Sequence, residues 1–325
     1  MDRQMILAEI NDEFGAARTS KKEFLEKMDR IIPWETFIAL VQPHYYKGER
    51  GNQPYPLELM LRIFVLQNLY DLADMKVMNE IIDSRAFTAF CCINSPDEVP
   101  NGDTIGRFRN ILTEHDLQKQ IFDEIVNLLT ERGLILKKGT IVDSTFIEAP
   151  SSTKNQKKER DPEAHSSKKG QTWHFGYKAH IGVDRESGLV HHVETTPAND
   201  HDVTAVSRLM HGEEETLHGD SGYIGAQKRP EAIVRNKKGK KIKYIICRKP
   251  STIKKLSKSG QYKAKKIEHK KSSVRCKVEH VFAVIKKLFG YRKTRYRSLR
   301  KQTARNYIMF ALANLYLADR KSLSV

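Results

Sequence analysis

The chain has few cysteines, and none of them is spaced to make a site. Its four, Cys91, Cys92, Cys247 and Cys276, contain no Cys-x-x-Cys pair, which argues against a zinc ribbon or a disulfide framework. Long apolar runs are missing as well. The longest apolar-rich stretch, IMFALANLYLA near the C-terminus, falls short of the roughly 20 residues that cross a bilayer. The start, MDRQMILAEIND, lacks the sustained apolar core of a secretory leader. We therefore expect a soluble cytoplasmic protein with no membrane partner, and the sequence holds no internal repeat.

Acid is scarce in one part of the chain only. Of 57 Lys and Arg and 40 Asp and Glu, residues 1–135 hold 15 and 22, which leaves 42 and 18 for residues 136–325. The net charge of +17 is thus −7 in the first part and +24 in the second. Each Lys or Arg that neutralises a phosphate releases counterions, so nucleic acid is the natural partner of the second part. A dispersed solubility surface explains so one-sided an excess poorly.

The hydrophobic period changes at about the same place. Residues 20–132 read as helices: in YPLELMLRIFVLQNLYDL the apolar positions recur at helical spacing. In SPDEVPNGDTIGRFRNILTEHDL a turn-rich lead, with Asp103 suited to N-capping, precedes a short helix presenting Arg107 and Arg109. That helix is similar to the second helix of a helix-turn-helix, and an ordinary surface helix is an equal alternative.

From Gly139 the pattern turns to strands: GTIVDSTFIEA, QTWHFGYKAHIGVD, LVHHVETT, TLHGD and KIKYIICRKP. In the second of these, Trp173, Phe175, Tyr177, Ala179, Ile181 and Val183 share one face, and His174, Lys178, His180 and Asp184 the other. The polar face is open to DNA, to solvent or to a covering loop. His174 and His180 do not form a helical metal pair. Gly188 in DRESG suits a hairpin turn, and Asp200 or Asp202 suits the cap of a helix over DVTAVSRLM. Two stretches, SSTKNQKKERDPEAHSSKKG and STIKKLSKSGQYKAKKIEHKK, have little apolar material to bury. They read as unstructured basic loops, over 150–171 and 250–271, that order on phosphates.

Three acids stand out by context: Asp143 in GTIVDSTFIEAP, Asp220 in LHGDSGYIGA and Glu279 in VRCKVEHVFAVIKKLFG. Singly they read as a strand-end residue, a turn former and half of a helical ion pair. Carboxylates brought together from separate elements are what magnesium sites need, since Mg²⁺ takes hard oxygen ligands.

These contexts, in this order, resemble the DDE transposases of bacterial insertion sequences, most closely the insertion sequence 5 family. The resemblance extends to PWETFIALVQPHYYKGERGNQPYPLELMLRIFVLQNLYDLAD and to the segment EAPSSTKNQKKERDPEAHSSKKGQTWHFGYKAHIGVD between the first two acids. It implies a helical N-terminal domain over 1–135 that recognises DNA ends. Over 136–325 it implies an RNase H-like catalytic domain of α+β or α/β type, a mixed sheet with flanking helices and the late helix beside the first strand. Asp143, Asp220 and Glu279 would then be the catalytic residues and the ligands of two Mg²⁺ ions, with Mn²⁺ able to substitute. The partners implied are double-stranded DNA, as element ends and target, and further copies of the chain in a homodimer or larger synaptic complex at the nucleoid.

The family's Arg-x₃-Glu-x₆-Lys pattern is matched by Arg275, Glu279 and Lys286. On an ideal helix these three fall on one stripe, away from Val278, Phe282, Ile285 and Phe289. Arg275 and Lys286 are the expected phosphate holders. Related signatures carry a Tyr three positions before the Arg, where this chain has Ser272, so a role in stacking on a displaced base is not carried over. Lys178 and, in YRKTRYRSLRKQ, Arg292, Arg295 and Arg297 are further DNA-contact candidates, with Tyr291 and Tyr296 interleaved for stacking. A nuclease on the same fold without strand transfer and a transposon-derived, non-catalytic DNA-binding repressor are the alternatives.

Overall fold

The computed structural model describes residues 17–48, 53–156 and 158–322. The stretch MDRQMILAEIND and residues 49–52 of the N-terminal resemblance lie outside the described residues. The chain divides into two compact units at 115/116, with residues 69–71 counted in the second.

The first unit is helical, as its period implies: α1 Ser20–Ile31, α2 Trp34–Val41, α3 Leu57–Leu69, α4 Asp74–Asp83, α5 Arg85–Phe90 and α6 Gly102–Glu114. Phe37, Met60, Leu61, Val77, Ile81, Phe87, Ile105 and Leu112 form its buried core. One charge enters this core with its partners: Arg62 donates to Asp29 at 2.7 Å, to Glu58 at 2.8 Å and to the Phe90 carbonyl at 2.9 Å. A buried guanidinium persists only when its donors are satisfied in this way. The cap of α6 is Asn101, whose Oδ1 accepts from the Thr104 N–H at 2.8 Å, and not Asp103. A short side-chain acceptor one residue before the helix satisfies an orphan N–H that Asp103, inside the first turn, does not reach.

The second unit begins earlier than the change of period, because α7 Leu117–Glu131 packs on the C-terminal helix, with the Phe122 and Tyr307 rings 5.6 Å apart. Its six strands are β1 Gly139–Glu148, β2 His165–Lys169, β3 Thr172–Asp184, β4 Val190–Pro197, β5 Thr216–Gly219 and β6 Lys243–Ile246. They form one mixed sheet in the order β2-β3-β1-β5-β6, with β4 also paired to β3. β1 runs antiparallel to β3 and parallel to β5, which runs parallel to β6. The β3–β4 turn uses Gly188 at φ 71. Asp184 ties that turn down by accepting from the N–H groups of Leu136, Lys137, Glu186 and Ser187.

Helices α8 Pro250–Lys254, α9 Lys258–Arg275, α10 Lys277–Ala283 and α11 Leu299–Ser322 come after the strands. Asn314 of α11 mimics a strand partner, accepting from Val190 N at 2.8 Å and donating to Val190 O at 2.7 Å. No helix among the described residues is long and apolar enough to cross a membrane. All four cysteines are free.

Of the three settings open to the polar face of β3, the covered one holds: from Gly176 to Asp184 the strand is buried on both faces, with Lys178 paired to Asp202 and His180 Nε2 to the Thr196 hydroxyl. Other sequence expectations are corrected. DVTAVSRLM forms a 3₁₀ helix, Asp202–Leu209, whose capping residue His201 makes no side-chain cap. Asp202 is engaged elsewhere, with Lys178. The two basic stretches contain regular elements among the described residues. One contains β2, and the other forms α8 and α9, with the Ser257 hydroxyl accepting from Gly260 N at 3.2 Å. Helix α9 buries only Ala264; Lys, Gln, Ala and Glu favour the helix intrinsically, so it forms without an apolar stripe.

Candidate active site

Asp143 sits near the middle of β1, next to β5. Because Ile141 lies level with His218 in this parallel pair, continuing the register by two residues sets Asp143 level with Asp220, just past the end of β5. There the chain turns sharply. Asp220 caps the turn Ser221–Tyr223, its Oδ1 accepting from Gly222 N at 2.8 Å. Helix α10 packs against β1 and carries Glu279 in its first turn.

Arg275, the last residue of α9, joins these elements. Its Nη1 donates to Asp143 Oδ2 at 2.9 Å and its Nη2 to Glu279 Oε1 at 3.0 Å. Burial works against the Arg275 charge, but Asp143, Glu279 and Asp220 outweigh it and hold the guanidinium above its usual value. Asp143 Oδ1 accepts from Ser144 N at 2.8 Å. Burial nevertheless pushes the Asp143 carboxyl up to about 6, with Asp220 adding to the rise and Ser144, Arg275 and Lys169 opposing it. The Glu279 side chain is 60% exposed against 16% for Asp143, so the site opens to solvent on the helix side.

The three acids thus come from three elements; Asp143 and Glu279 share the Arg275 cation, whose charge Asp220 also supports. As they stand, no three His, Cys, Asp or Glu side chains among the described residues are grouped tightly enough to hold a metal ion. Their chemistry nonetheless fits one: the donors are all carboxylate oxygens, suited to hard ions. Burial, with Asp220 adding to it, holds the Asp143 carboxyl up despite the positive charge of Arg275 and Lys169, and a bound cation would relieve it.

Lys286 departs from the predicted stripe. The helix breaks at Cys276 and ends in a π turn, Val284–Leu288, where Phe289 N reaches back to Val284 O at 2.9 Å. An i→i+5 turn shifts the facing of its side chains relative to a regular helix, and Lys286 Nζ donates to the Phe146 carbonyl at 2.8 Å. Burial lowers its pKa, with Lys169 next in effect. The apolar stripe is accordingly Val278, Val281, Val284, Ile285 and Phe289, with Phe282 half-buried.

The remaining candidates separate into committed and open side chains. Lys178, 7% exposed, is paired with Asp202 at 2.9 Å and with the Asp200 carbonyl at 2.7 Å, so it does not look out toward a partner. Arg295 is held by both oxygens of Asp71, at 3.0 and 2.9 Å. Tyr291 is fully buried under the Arg305 guanidinium and is unavailable for stacking on bases. Arg109 forms an ion pair with Asp74. Arg107 is exposed, and so are Arg292 and Arg297, which donate to the carbonyls of Lys286 and Glu159.

Sequence reading missed Lys169, which lies in a stretch taken as a loop. Its Nζ stands 6.0 Å from the Phe146 ring centroid. The available signal was Lys-Gly-Gln between two short alternating runs: Lys169 pairs with Thr172 across a two-residue turn in which Gly170 has φ 62.

The three carboxylates lie on a central strand, just past the end of its parallel neighbour and on a late helix. A family model described as Transposase DDE domain matches residues 135–315, and a second, Transposase domain (DUF772), matches residues 13–110. The first covers more than half of the chain and contains all three acids; the chain belongs to the transposase DDE domain family. The mixed sheet with flanking helices fits an RNase H-like DDE domain. No solved structure matches the chain.

Proposed function

We propose that this chain is a transposase of the insertion sequence 5 type, which binds the terminal repeats of its element as double-stranded DNA, cuts them and joins the freed ends to target DNA. The observation that carries the reading is Arg275 bridging Asp143 and Glu279, with Asp220 level with Asp143. Family membership supports DNA as the partner, and so does the excess of Lys and Arg after residue 135.

Asp143, Asp220 and Glu279 would hold divalent ions, Mg²⁺ or Mn²⁺. Bound there, such ions would lower the pKa of a water and neutralise charge building on the leaving oxygen. The chain's own part is positioning. Asp143, on a strand buried in the sheet, has little freedom to move, and Asp220 is locked by its turn. The exposed Glu279 is the acid free to adjust. Arg275, released from the two carboxylates, is placed to meet the phosphodiester. Lys286 fixes the helix to β1 through Phe146 and so sets the separation of Glu279 from Asp143.

The test is incubation of the protein and Mg²⁺ with labelled duplexes cut from the DNA flanking the gene. Nicking at the repeat boundary and then joining is expected, and Asp143→Asn, Asp220→Asn and Glu279→Gln should each abolish both while duplex binding persists. Cutting without joining, indifferent to the repeat, would replace the reading with a nuclease. Full activity in any one variant would remove that residue from the site.

A further inference from the structure

Strand β3 is longer than the sheet it belongs to. Its pairing with β1 ends at Gly176 opposite Glu148, and its pairing with β4 begins at Tyr177. Phe175 O still accepts from Ala149 N at 2.8 Å, and beyond it residues 172–174 have only β2 beside them, so 167–169 and 172–174 form a two-stranded ribbon extending past the sheet. The departure point requires glycine: Gly176 has φ 152, and a Cβ there would lie 2.2 Å from the Ile147 carbonyl oxygen.

The ribbon is exposed over most of its length and carries Trp173, 67% exposed, directly across from Lys168. An indole is large and mostly apolar, and folding normally removes it from water. Nothing among the described residues covers this one. From His165 to Phe175 the sequence contains Lys168, Lys169 and two histidines and no acid. The opposite face turns toward the acids: His174 stacks on Phe146 with centroids 4.9 Å apart, Lys169 stands above the same ring, and its charge reaches Asp143 and Lys286.

We infer that this ribbon enters the major groove of the duplex beside the scissile phosphodiester, with Trp173 against base edges and Lys168 and Lys169 on flanking phosphates. The inference rests on the transposase reading. A major groove about 12 Å wide admits a two-stranded ribbon. The positive, acid-free tip matches the groove's phosphate walls, and the Lys169 face links the docked duplex to the acids.

The test uses the full chain with two labelled duplexes of equal length, one cut from the gene flank and one of mixed sequence. Anisotropy measures total binding. Trp34 is the only other tryptophan, so the emission difference between the native protein and Trp173→Phe isolates Trp173. Adding duplex should shift this difference to the blue and protect it from acrylamide. Trp173→Ala should weaken binding by about tenfold, as loss of a buried aromatic anchor does, with an unchanged circular dichroism spectrum. Lys168→Ala and Lys169→Ala should each lower the salt slope of binding by about one. Native affinity in Trp173→Ala with no spectral change would overturn the ribbon's role and leave the transposase reading standing. A blue shift that tracks protein concentration without DNA would give the ribbon to a second copy and overturn it equally. Failure of both duplexes to bind would sink both readings.

Discussion

Asp143→Asn should make the protein more stable and catalytically dead, and the size of the gain can be worked from the site. Burial moves the Asp143 carboxyl from 3.8 to about 6. The folded state therefore holds a proton that the unfolded state has already released between those pH values, and stability falls as pH rises through that window. Above about pH 6 the ionised carboxylate costs the fold about 3 kcal/mol relative to a neutral group. Below about pH 4 the cost vanishes, since both states are protonated. Asparagine keeps the acceptor for the Ser144 N–H, and Arg275 retains Glu279, so little else is lost. For a unit of this size 1 kcal/mol moves Tm by about 2–4 °C, which puts the upper bound of the gain at roughly 6–12 °C at pH 8. Thermal melts of native protein and variant at pH 8 and pH 4 measure it. Saturating Mg²⁺ should raise the native Tm, by about 2.7 kcal/mol of stability at a hundred times Kd, and leave the variant unmoved. A variant no more stable than the native protein at pH 8, or equally stabilised at pH 4, would refute the account of Asp143 as a strained, buried acid.

Two further perturbations separate function from structure. Arg275→Ala should tighten Mn²⁺ binding to the DNA-free protein, measured by calorimetry, because the guanidinium that competes for Asp143 and Glu279 is gone; strand cutting should fall in the same variant, and unchanged Mn²⁺ affinity would count against the competition. Lys178→Met should leave Asp202 without its cation in the second unit and cost about 3 kcal/mol, seen as a lower Tm, with the salt slope of duplex binding unchanged; a smaller salt slope would return Lys178 to the DNA surface.

The range of the forces involved decides which features the sequence discloses and which it hides. The elements that carry Asp143, Asp220 and Glu279 are legible because each is locally determined: a β-branched strand, a turn before Ser-Gly and an amphipathic helix. Arg275 reaching Glu279 four residues on has the spacing of a helical pair, although a turn at Cys276 separates the two helices that carry them. Its reach to Asp143 across the chain requires the fold. The burial of Lys178 is hidden because an alternating strand shows which side chains share a face but not what covers that face. Here Asp202 and the 3₁₀ segment behind it close over the polar side, and a lysine that looks like a DNA contact becomes half of an internal ion pair. The same limit applies to Tyr291 and Arg295, where an interleaved basic and aromatic pattern reads as a nucleic-acid surface. Asp71, far away in sequence, draws in both Arg295 and Arg305.

Lys286 shows the limit from the other direction. A regular helix would place it beside Arg275 and Glu279, over the acids. The π turn moves it to the Phe146 carbonyl instead, so the helix is pinned to β1 one turn beyond the site. The backbone irregularity thereby turns a third charge near the carboxylates into a strut that fixes the acid-bearing helix against the acid-bearing strand. A site built from three elements depends on such fixed spacings, because carboxylates offset by even an ångström no longer share a cation. Lys286→Ala should therefore loosen the relation of Glu279 to Asp143 more than it weakens contact with DNA. The expected outcome is weaker Mn²⁺ binding by calorimetry with the salt slope of duplex binding intact. A reduced salt slope with unaltered Mn²⁺ affinity would return Lys286 to the phosphate-holding role that a straight helix implies.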